Sequence, residues 1–192
     1  MPRPRLLAIS LLVALIVGGT AGWFLADRNR DGTDRLGAPG ADTVPGDGIP
    51  VATDVSGDPL PDIDTESLDG AAVPLQSLTG KPLVLNFWYS TCLPCRQEMP
   101  AFQQVHEELG ATVRLVGINP LDGAERAKGF ADEVGVTYEL LRDPDGRATT
   151  GLGVARFPTT VFVAADGTVL DAEPGELSAD ELRSRIEELY PA

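Results

Sequence analysis

Residues 83–100 read LVLNFWYSTCLPCRQEMP and contain the clearest fold signal in the chain. Its first six residues form a compact apolar run of the length that a buried strand needs. After Cys92 the spacing changes, because apolar residues recur at steps of three and four, which predicts a helix. A buried strand that leads straight into a helix is typical of an α/β domain.

The sequence on both sides continues this alternation of strands and helices. Asp69-Gly70 and Asp166-Gly167 each lie between two short strand patterns and predict tight hairpins. Ser178, followed three residues later by Glu181, predicts a capped final helix. Strands are predicted over residues 62–68, 72–75, 83–88, 112–118, 138–141, 159–163 and 168–171, and helices after Cys92 and over residues 123–134, 146–152 and 178–190. We therefore expect an α/β fold with a mixed central sheet, flanking helices and an N-terminal β-hairpin.

The N-terminus has the features of a membrane anchor. Arg3 and Arg5 precede an uncharged, mostly apolar run over residues 6–26, and these 21 residues suffice to cross a hydrocarbon layer about 30 Å thick as one transmembrane helix. The positive charges predict that residues 1–5 stay in the cytoplasm and that the rest of the chain lies outside. A cleaved signal peptide is the alternative, since residues 19–21 resemble a weak cleavage site. Both interpretations predict an exported domain, and the first predicts a single-pass protein of the cell membrane.

The composition separates a tether from a folded domain. Residues 27–56 are rich in Gly, Pro and Asp and lack apolar periodicity, so we predict a flexible linker. Residues 57–192 form the predicted domain and hold 10 basic and 23 acidic residues, a net charge of −13. Such acidity argues against a nucleic-acid partner. A hydrophobic content of 43% excludes general disorder, and two cysteines are too few for a disulfide-stapled secreted scaffold.

The two cysteines, Cys92 and Cys95, carry the candidate chemistry. One helical turn separates them, so they can form a small-ring disulfide. At a helix N-terminus the unpaired N–H groups and the positive end of the dipole stabilise a thiolate and lower the thiol pKa below its free value of about 8.5. Cys92 is then the exposed nucleophile and Cys95 the more buried resolving partner. Pro94 fits the first turn, which has no internal N–H bond to lose.

A metal site and a structural disulfide are the competing interpretations of this pair. One Cys pair without a second ligand pair does not fill a tetrahedral zinc site. The only histidine, His106, lies eleven residues beyond Cys95, about three turns along the same predicted helix. A disulfide across two intervening residues restricts the unfolded chain little, so its stabilising value is small. Redox chemistry is therefore favoured, and we expect no metal and no cofactor.

The opening stretch is similar to the active-site segment of the TlpA/ResA family of membrane-anchored, thioredoxin-like thiol–disulfide oxidoreductases. The similarity spans essentially the whole domain, and its motifs in this order are highly specific. Besides residues 83–100 it rests on Leu115-Val116-Gly117-Ile118, Asp143-Pro144-Asp145-Gly146, Arg156-Phe157-Pro158-Thr159-Thr160 and Asp166-Gly167. The resemblance implies a thioredoxin fold with Cys92 and Cys95 as the redox pair.

The resemblance also implies how a client protein is held. Pro158 would be a cis-proline that faces the Cys pair and leaves neighbouring backbone groups free to hold a substrate strand beside Cys92. Phe157 and Thr159 would flank that contact. Pro100 matches the helix-kinking proline of the family.

Three departures from the family pattern affect the expected chemistry. Thr91 stands where many relatives carry Trp. The aromatic side chain beside the sulfur is therefore either lost or supplied by Trp88 or Tyr89. We count Trp88 among the predicted client contacts. Asn86 replaces a buried Asp that helps to move the proton of the second thiol in cytosolic thioredoxins. Leu93 replaces a Glu that some cytochrome-maturation members carry between the cysteines, so an acid is missing there as well.

By resemblance, the chain is expected to reduce disulfides of exported proteins by thiol–disulfide exchange. The Leu93-Pro94 pair lacks the histidine found in strongly oxidising relatives, which also favours reduction. Apocytochrome c and other exported disulfide proteins are the expected clients. A membrane thiol relay of the DsbD or CcdA kind is the expected electron donor, and we expect the protein to be a monomer.

Three other functions stay open at this point. A peroxiredoxin-type peroxidase needs Thr or Ser three residues before its cysteine and Pro seven before, where this chain has Tyr89 and Leu85. A copper chaperone of the SCO type needs a late histidine, and none follows His106. The third alternative is a non-catalytic binding module, which is the function expected if the cysteines do not undergo thiol–disulfide exchange.

Overall fold

The computed structural model describes residues 53–191 of the chain. The predicted anchor over residues 6–26 lies outside this part, and so does the predicted linker up to residue 52. Among residues 53–191, none of the helices combines the length and the apolar character that a membrane span requires. Val55 is buried in the core, so the folded domain begins a little before the boundary predicted at residue 57.

A mixed sheet of seven strands forms the centre of the described part of the chain. The strands are β1 (Asp64–Ser67), β2 (Ala72–Pro74), β3 (Leu83–Phe87), β4 (Arg114–Asn119), β5 (Glu139–Arg142), β6 (Thr159–Val163) and β7 (Val169–Pro174). The helices are α1 (Leu93–Leu109), α2 (Ala124–Val134), α3 (Arg147–Gly151) and α4 (Ala179–Leu189), with a 3-10 turn over Leu75–Leu78. The strand order is β2-β1-β5-β4-β3-β6-β7; β3, β4 and β5 are parallel, and the other neighbours are antiparallel.

Strand β3 is covered on both faces, and all five of its side chains are buried. Because side chains alternate along a strand, Leu83, Leu85 and Phe87 enter one core layer. Val84 belongs to the opposite layer, together with α1, α2 and α4, and Asn86 points the same way toward α1. Coverage of both faces explains why this strand is apolar at every position except Asn86.

The helices follow the predicted apolar spacing. Helix α1 contributes a stripe of buried side chains to the core: Cys95, Met99, Phe102 and Val105. It continues through Pro100, whose ring removes one backbone N–H from the helix. Helix α4 begins with the predicted capping box, in which the side chains of Ser178 and Glu181 each accept a hydrogen bond from the other's backbone N–H.

Both predicted hairpins are present. Strands β1 and β2 pair antiparallel, with Asp64 opposite Pro74, and β6 pairs antiparallel with β7. Gly70 and Gly167 take φ values of 86° and 93° in the two turns, a region that glycine enters at little cost.

The pairing of β3 with β6 positions the functional end of the sheet. Phe87, the last residue of β3, lies opposite Thr159, the first residue of β6. The segment that leads from β3 into α1 therefore lies beside the segment that precedes β6. This arrangement brings Cys92 and Pro158 to the same end of the sheet.

Candidate active site

The two cysteines form a disulfide at the start of α1. Cys92 is the N-cap residue, and its Sγ accepts a hydrogen bond of 3.2 Å from the backbone N–H of Cys95. Cys92 retains 4% of its surface, whereas Cys95 has none. The predicted order of accessibility is therefore correct, but Cys92 is much less exposed in the disulfide form than expected. The N–H group and the positive end of α1 would both stabilise a thiolate on Cys92.

The loop before Cys92 is held by the carboxylate of Asp122, which follows β4. Asp122 accepts hydrogen bonds from the backbone N–H and the hydroxyl of Ser90, at 2.6 and 2.8 Å. Asn119 donates a third at 2.8 Å, and Arg126 lies 3.2 Å away as an ion pair. Burial opposes the charge, but the bonds from Asn119 and Ser90 and the charge of Arg126 together lower the pKa of Asp122. An ionised Asp122 thus fixes the turn that presents Cys92.

Trp88 is part of the core and does not reach the surface. It is 0% exposed, and its ring stacks on Phe130 with ring centres 5.4 Å apart. The ring also lies over Gly117, where an added Cβ would be 2.8 Å from the indole Nε1. The prediction of Trp88 as a client contact is therefore wrong, because the preceding strand turns its side chain inward.

The half-buried rings beside the cysteine loop come from Tyr89 and Phe157. They meet edge to face, with centres 5.3 Å apart. The Phe157–Pro158 peptide bond is cis, as the resemblance implied. Pro158 and Thr159 are buried, and the Thr159 hydroxyl donates to the carbonyl of Arg156 at 2.9 Å. Phe157 thus exposes more surface than Pro158 and Thr159, and binding of a client strand at these three residues stays a prediction.

A buried carboxyl group, which the sequence analysis did not find, lies one turn after Cys95. Glu98 is 3% exposed, and its Oε1 accepts a hydrogen bond of 2.6 Å from the side-chain amide of Asn86. Its Oε2 accepts one of 3.2 Å from the backbone N–H of Leu177. Asn86 therefore does not leave the site without an acid, because it holds an acid supplied by α1.

The environment of Glu98 favours its protonated form. Burial raises the pKa of Glu98 to about 8, against the lowering effect of the hydrogen bonds from Asn86 and Leu177. The negative charge of Glu176 adds a smaller increase. A carboxyl group with a pKa near neutrality, buried on the same helix face as a redox cysteine, is suited to exchange protons with that cysteine. In the sequence, the feature that could have indicated this buried acid is that Glu98 lies within the apolar stripe of α1.

The free energy of unfolding of the oxidised protein, measured relative to that of a Glu98→Gln variant, is expected to fall as the pH rises from about 5 to about 8. Across this interval the folded protein keeps the proton of Glu98, whereas the unfolded chain, with the ordinary pKa of 4.5, has released it. The stabilisation is complete below the unfolded pKa and is lost as the pH rises through the folded pKa. Urea unfolding of both proteins at several pH values measures the difference, which should change by a few kcal/mol. A difference that stays constant with pH would contradict the assignment.

Two leucines form the exposed apolar surface at this end of the domain. Leu93 and Leu121 are each 66% exposed, and among residues 53–191 they are the large apolar side chains with the greatest exposure. Leu93 directly follows Cys92, and Leu121 directly precedes Asp122, the residue that holds the cysteine loop through Ser90. The exposed apolar side chain of Leu93 therefore flanks the entrance to the disulfide, although the domain as a whole is acidic.

This geometry gives little support to the two competing interpretations, a metal site and a peroxidatic site. Within residues 53–191 the structure holds no group of three or more His, Cys, Asp or Glu side chains arranged for a metal ion. Leu85, at the position where a peroxidatic site needs proline, is buried in β3. Tyr89, at the position that needs Thr or Ser, packs its ring against Phe157.

A redox-active Cys pair at the N-terminus of α1, beside a cis-proline loop on a mixed sheet, defines a thiol–disulfide oxidoreductase of the thioredoxin fold. Comparison with known proteins identifies the family to which the chain belongs. Residues 56–172 match the model of the AhpC/TSA family, and the chain belongs to it. Within it, the relatives identify a TlpA/ResA/DsbE-like thiol–disulfide oxidoreductase, as the sequence motifs predicted.

The relatives cover most of the chain. The thiol–disulfide oxidoreductase ResA of Oceanobacillus iheyensis is 32% identical over 141 residues, which cover 70% of this chain and 73% of ResA. The thiol:disulfide interchange protein DsbE of Escherichia coli is 30% identical over 192 residues, covering 98% of this chain and 95% of DsbE. The structure of DsbF of Mycobacterium tuberculosis superposes with a TM-score of 0.62 at 34% identity, over 67% of this chain and 95% of DsbF.

Proposed function

We propose that this oxidoreductase reduces disulfides of exported proteins, with apocytochrome c as the leading client class. The observation that carries the proposal is the placement of Cys92 and Cys95 at the start of α1, where only Cys92 has any exposed surface. The exposed apolar side chain of Leu93, which directly follows Cys92, suits a polypeptide client rather than a small charged disulfide.

In the reductive direction, the Cys92 thiolate attacks one sulfur of the client disulfide. The client's S–S bond breaks, a mixed disulfide forms, and the leaving client thiolate takes a proton from water. Glu98, which carries a proton at neutral pH, first releases it to water, and its carboxylate then takes the thiol proton of Cys95. The Cys95 thiolate attacks the sulfur of Cys92. The second client thiolate leaves and is protonated by water. The client disulfide has gained two electrons, and the Cys92–Cys95 disulfide seen in the structure has formed.

The return reaction needs a dithiol donor, which we place in the class of membrane thiol relays of the DsbD or CcdA type. A donor thiolate attacks Cys92, and Cys95 leaves as a thiolate. Glu98, with a pKa of about 8 in the disulfide form, carries a proton at neutral pH and donates it to the Cys95 sulfur. Its carboxylate then regains a proton from water. The second donor thiol then releases Cys92, so both cysteines are reduced and the donor is oxidised.

The location of the protein is part of this proposal. We infer a single-pass protein whose residues 6–26 anchor it in the cell membrane, with the domain on the extracytoplasmic side, because Arg3 and Arg5 flank that apolar run on its N-terminal side. The domain acts as a monomer in this scheme, since one chain contains both cysteines and the acid.

A Cys95→Ala variant is expected to accumulate mixed disulfides with its clients, because the Cys92–client bond forms but is not resolved. Acid quenching of cells that express the variant, followed by non-reducing electrophoresis and mass spectrometry, identifies the trapped partners. The protein itself should also catalyse the reduction of insulin by dithiothreitol.

The matched control is Cys92→Ala, which retains a thiol in the same turn but lacks the attacking sulfur. Equal trapping by both variants would show non-specific thiol reactivity and overturn the proposed roles. Trapping of cytoplasmic proteins alone would contradict the exported location. Insulin reduction no faster than with dithiothreitol alone would contradict catalysis.

A further inference from the structure

A groove of about 560 Å³ opens to solvent beside the buried carboxyl group of Glu98. It runs between α1 and the segment that leads into α4. Its walls are formed by Gln97, Glu98 and Ala101 on the α1 side and by Glu176, Leu177, Ser178, Ala179 and Glu181 on the other. The groove is distinct from the entrance beside Leu93, because it meets the acid rather than the disulfide.

We propose that protons reach and leave Glu98 through this groove, and that Glu176 is a positioning residue whose charge sets how readily Glu98 holds its proton. The inference rests on the proposed function, because it supplies the proton that the Cys95 sulfur gives up and takes back.

The hydrogen bonds of Glu98 identify the groove side as its route to water. Oε1 is turned toward Asn86, which is 1% exposed and belongs to the central strand β3. Oε2 is turned toward the backbone N–H of Leu177, which lines the groove. Tyr138 also lies near Glu98, since burial and, to a smaller extent, the Glu98 charge raise the pKa of Tyr138, but this side chain is 3% exposed. Neither Asn86 nor Tyr138 offers a path to solvent, so the proton leaves on the Leu177 side.

The groups around Glu98 differ in what they can do with a proton. Asn86 from β3, Tyr138 from the segment before β5, and Glu176 and the Leu177 amide from the segment before α4 all interact with Glu98. Cys95 is buried one turn earlier on the same helix, and Glu181 of α4 lines the same groove. Cys95 is the redox partner, whereas Asn86 and the Leu177 amide only donate hydrogen bonds.

Glu176 is the acid in this groove whose side chain has no partner among residues 53–191. Glu181 is engaged in the capping box, and its hydrogen bonds with Ser178 lower the pKa of Glu181. Glu176 is exposed and, within residues 53–191, makes no hydrogen bond or ion pair through its side chain. It stands next to Leu177 in the chain, so its carboxylate lies at the mouth through which Glu98 meets water.

A Glu176→Gln variant tests the electrostatic part of the proposal. Removal of the like charge should lower the pKa of Glu98 by roughly half a pH unit. The pKa is read from the ¹³C chemical shift of the Glu98 carboxyl group during a pH titration of the oxidised protein. Glu187→Gln is the matched control, because it removes the same charge from an exposed position of α4 outside the groove and should leave the pKa of Glu98 unchanged. An unchanged value in Glu176→Gln, or an equal change in both variants, would overturn the role of Glu176.

An Ala101→Leu variant tests the route itself. The larger side chain narrows the groove from the α1 side and should slow the resolution of a mixed disulfide several-fold, while attack by Cys92 keeps its rate. Equal rates of resolution with and without the substitution would overturn the route. The carboxyl titration needs no client, so failure of this inference and failure of the reductase activity are separate results.

Discussion

Replacement of Glu98 by Gln is expected to slow resolution of the mixed disulfide by about 100-fold, the lower range for loss of a positioned acid–base group. Glutamine preserves the size of the side chain and one carbonyl acceptor, but it exchanges no proton near neutral pH. Cys95 must then lose its proton to water in a site where it has no exposed surface. Rapid mixing of the reduced protein with a client disulfide, followed by acid quenching, measures formation and decay of the mixed disulfide separately.

The separation of the two steps decides whether Glu98 moves a proton or only holds α1 in place. Attack by Cys92 should keep its rate within about two- to threefold, because the helix N-terminus rather than Glu98 stabilises that thiolate. Glu107→Gln, an exposed carboxylate on the same helix, is the control and should change neither step. Equal slowing of both steps in Glu98→Gln would assign Glu98 a structural role and contradict the mechanism.

The sequence predicted the fold well because its signals are local. A two-residue alternation or an uninterrupted apolar run identifies a strand from a few neighbouring residues. The Asp-Gly pairs located both hairpins, and the Ser178–Glu181 spacing identified the capping box that the structure contains. The position of Cys92 at the helix start also followed from local spacing, since the change of period occurs at that residue.

The features that the sequence did not predict depend on contacts between distant segments. The proton affinity of Glu98 is set by its burial and by the amide of Leu177, which is 79 residues away in the chain. The clamp on the cysteine loop joins Ser90 to Asp122 across 32 residues. Neither Ser90 nor Asp122 lies in a local sequence pattern that predicts this contact. Asp122 in particular is one of many acidic residues in the domain. Motifs therefore located the sulfurs but not the groups that control them.

The inward orientation of Trp88 shows the same limit within a single loop. Trp88 and Tyr89 are adjacent aromatic residues, and from the sequence either could supply the aromatic ring beside the sulfur. The backbone of Trp88 still bonds to the strand beside it, since its N–H donates to the carbonyl of Ile118 at 3.0 Å. The side chain therefore continues the alternation of β3 and enters the core on the Val84 side. Tyr89 takes the other direction and meets Phe157.

Replacement of Trp88 by Ala is expected to destabilise the protein by about 3–5 kcal/mol, the usual cost of removing a large buried aromatic side chain. The ring is fully buried, stacks on Phe130 and fills the space above Gly117, so its loss leaves a cavity between the sheet and α2. Urea unfolding of the oxidised protein at one pH measures the change. Trp88→Phe should cost much less, because within residues 53–191 the indole Nε1 has no hydrogen-bond partner to lose.

Tyr89→Ala is the comparison that separates support of the core from contact with the client. Tyr89 is half-buried beside Phe157, so its removal should cost less stability than removal of Trp88 but should weaken turnover of a protein disulfide. The opposite pattern, with Trp88→Phe fully stable yet slow toward protein clients, would mean that the indole reaches the client after all. Reduction of a small disulfide distinguishes the two, because a client-contact residue affects only the protein substrate, whereas a misplaced cysteine loop slows the reduction of both.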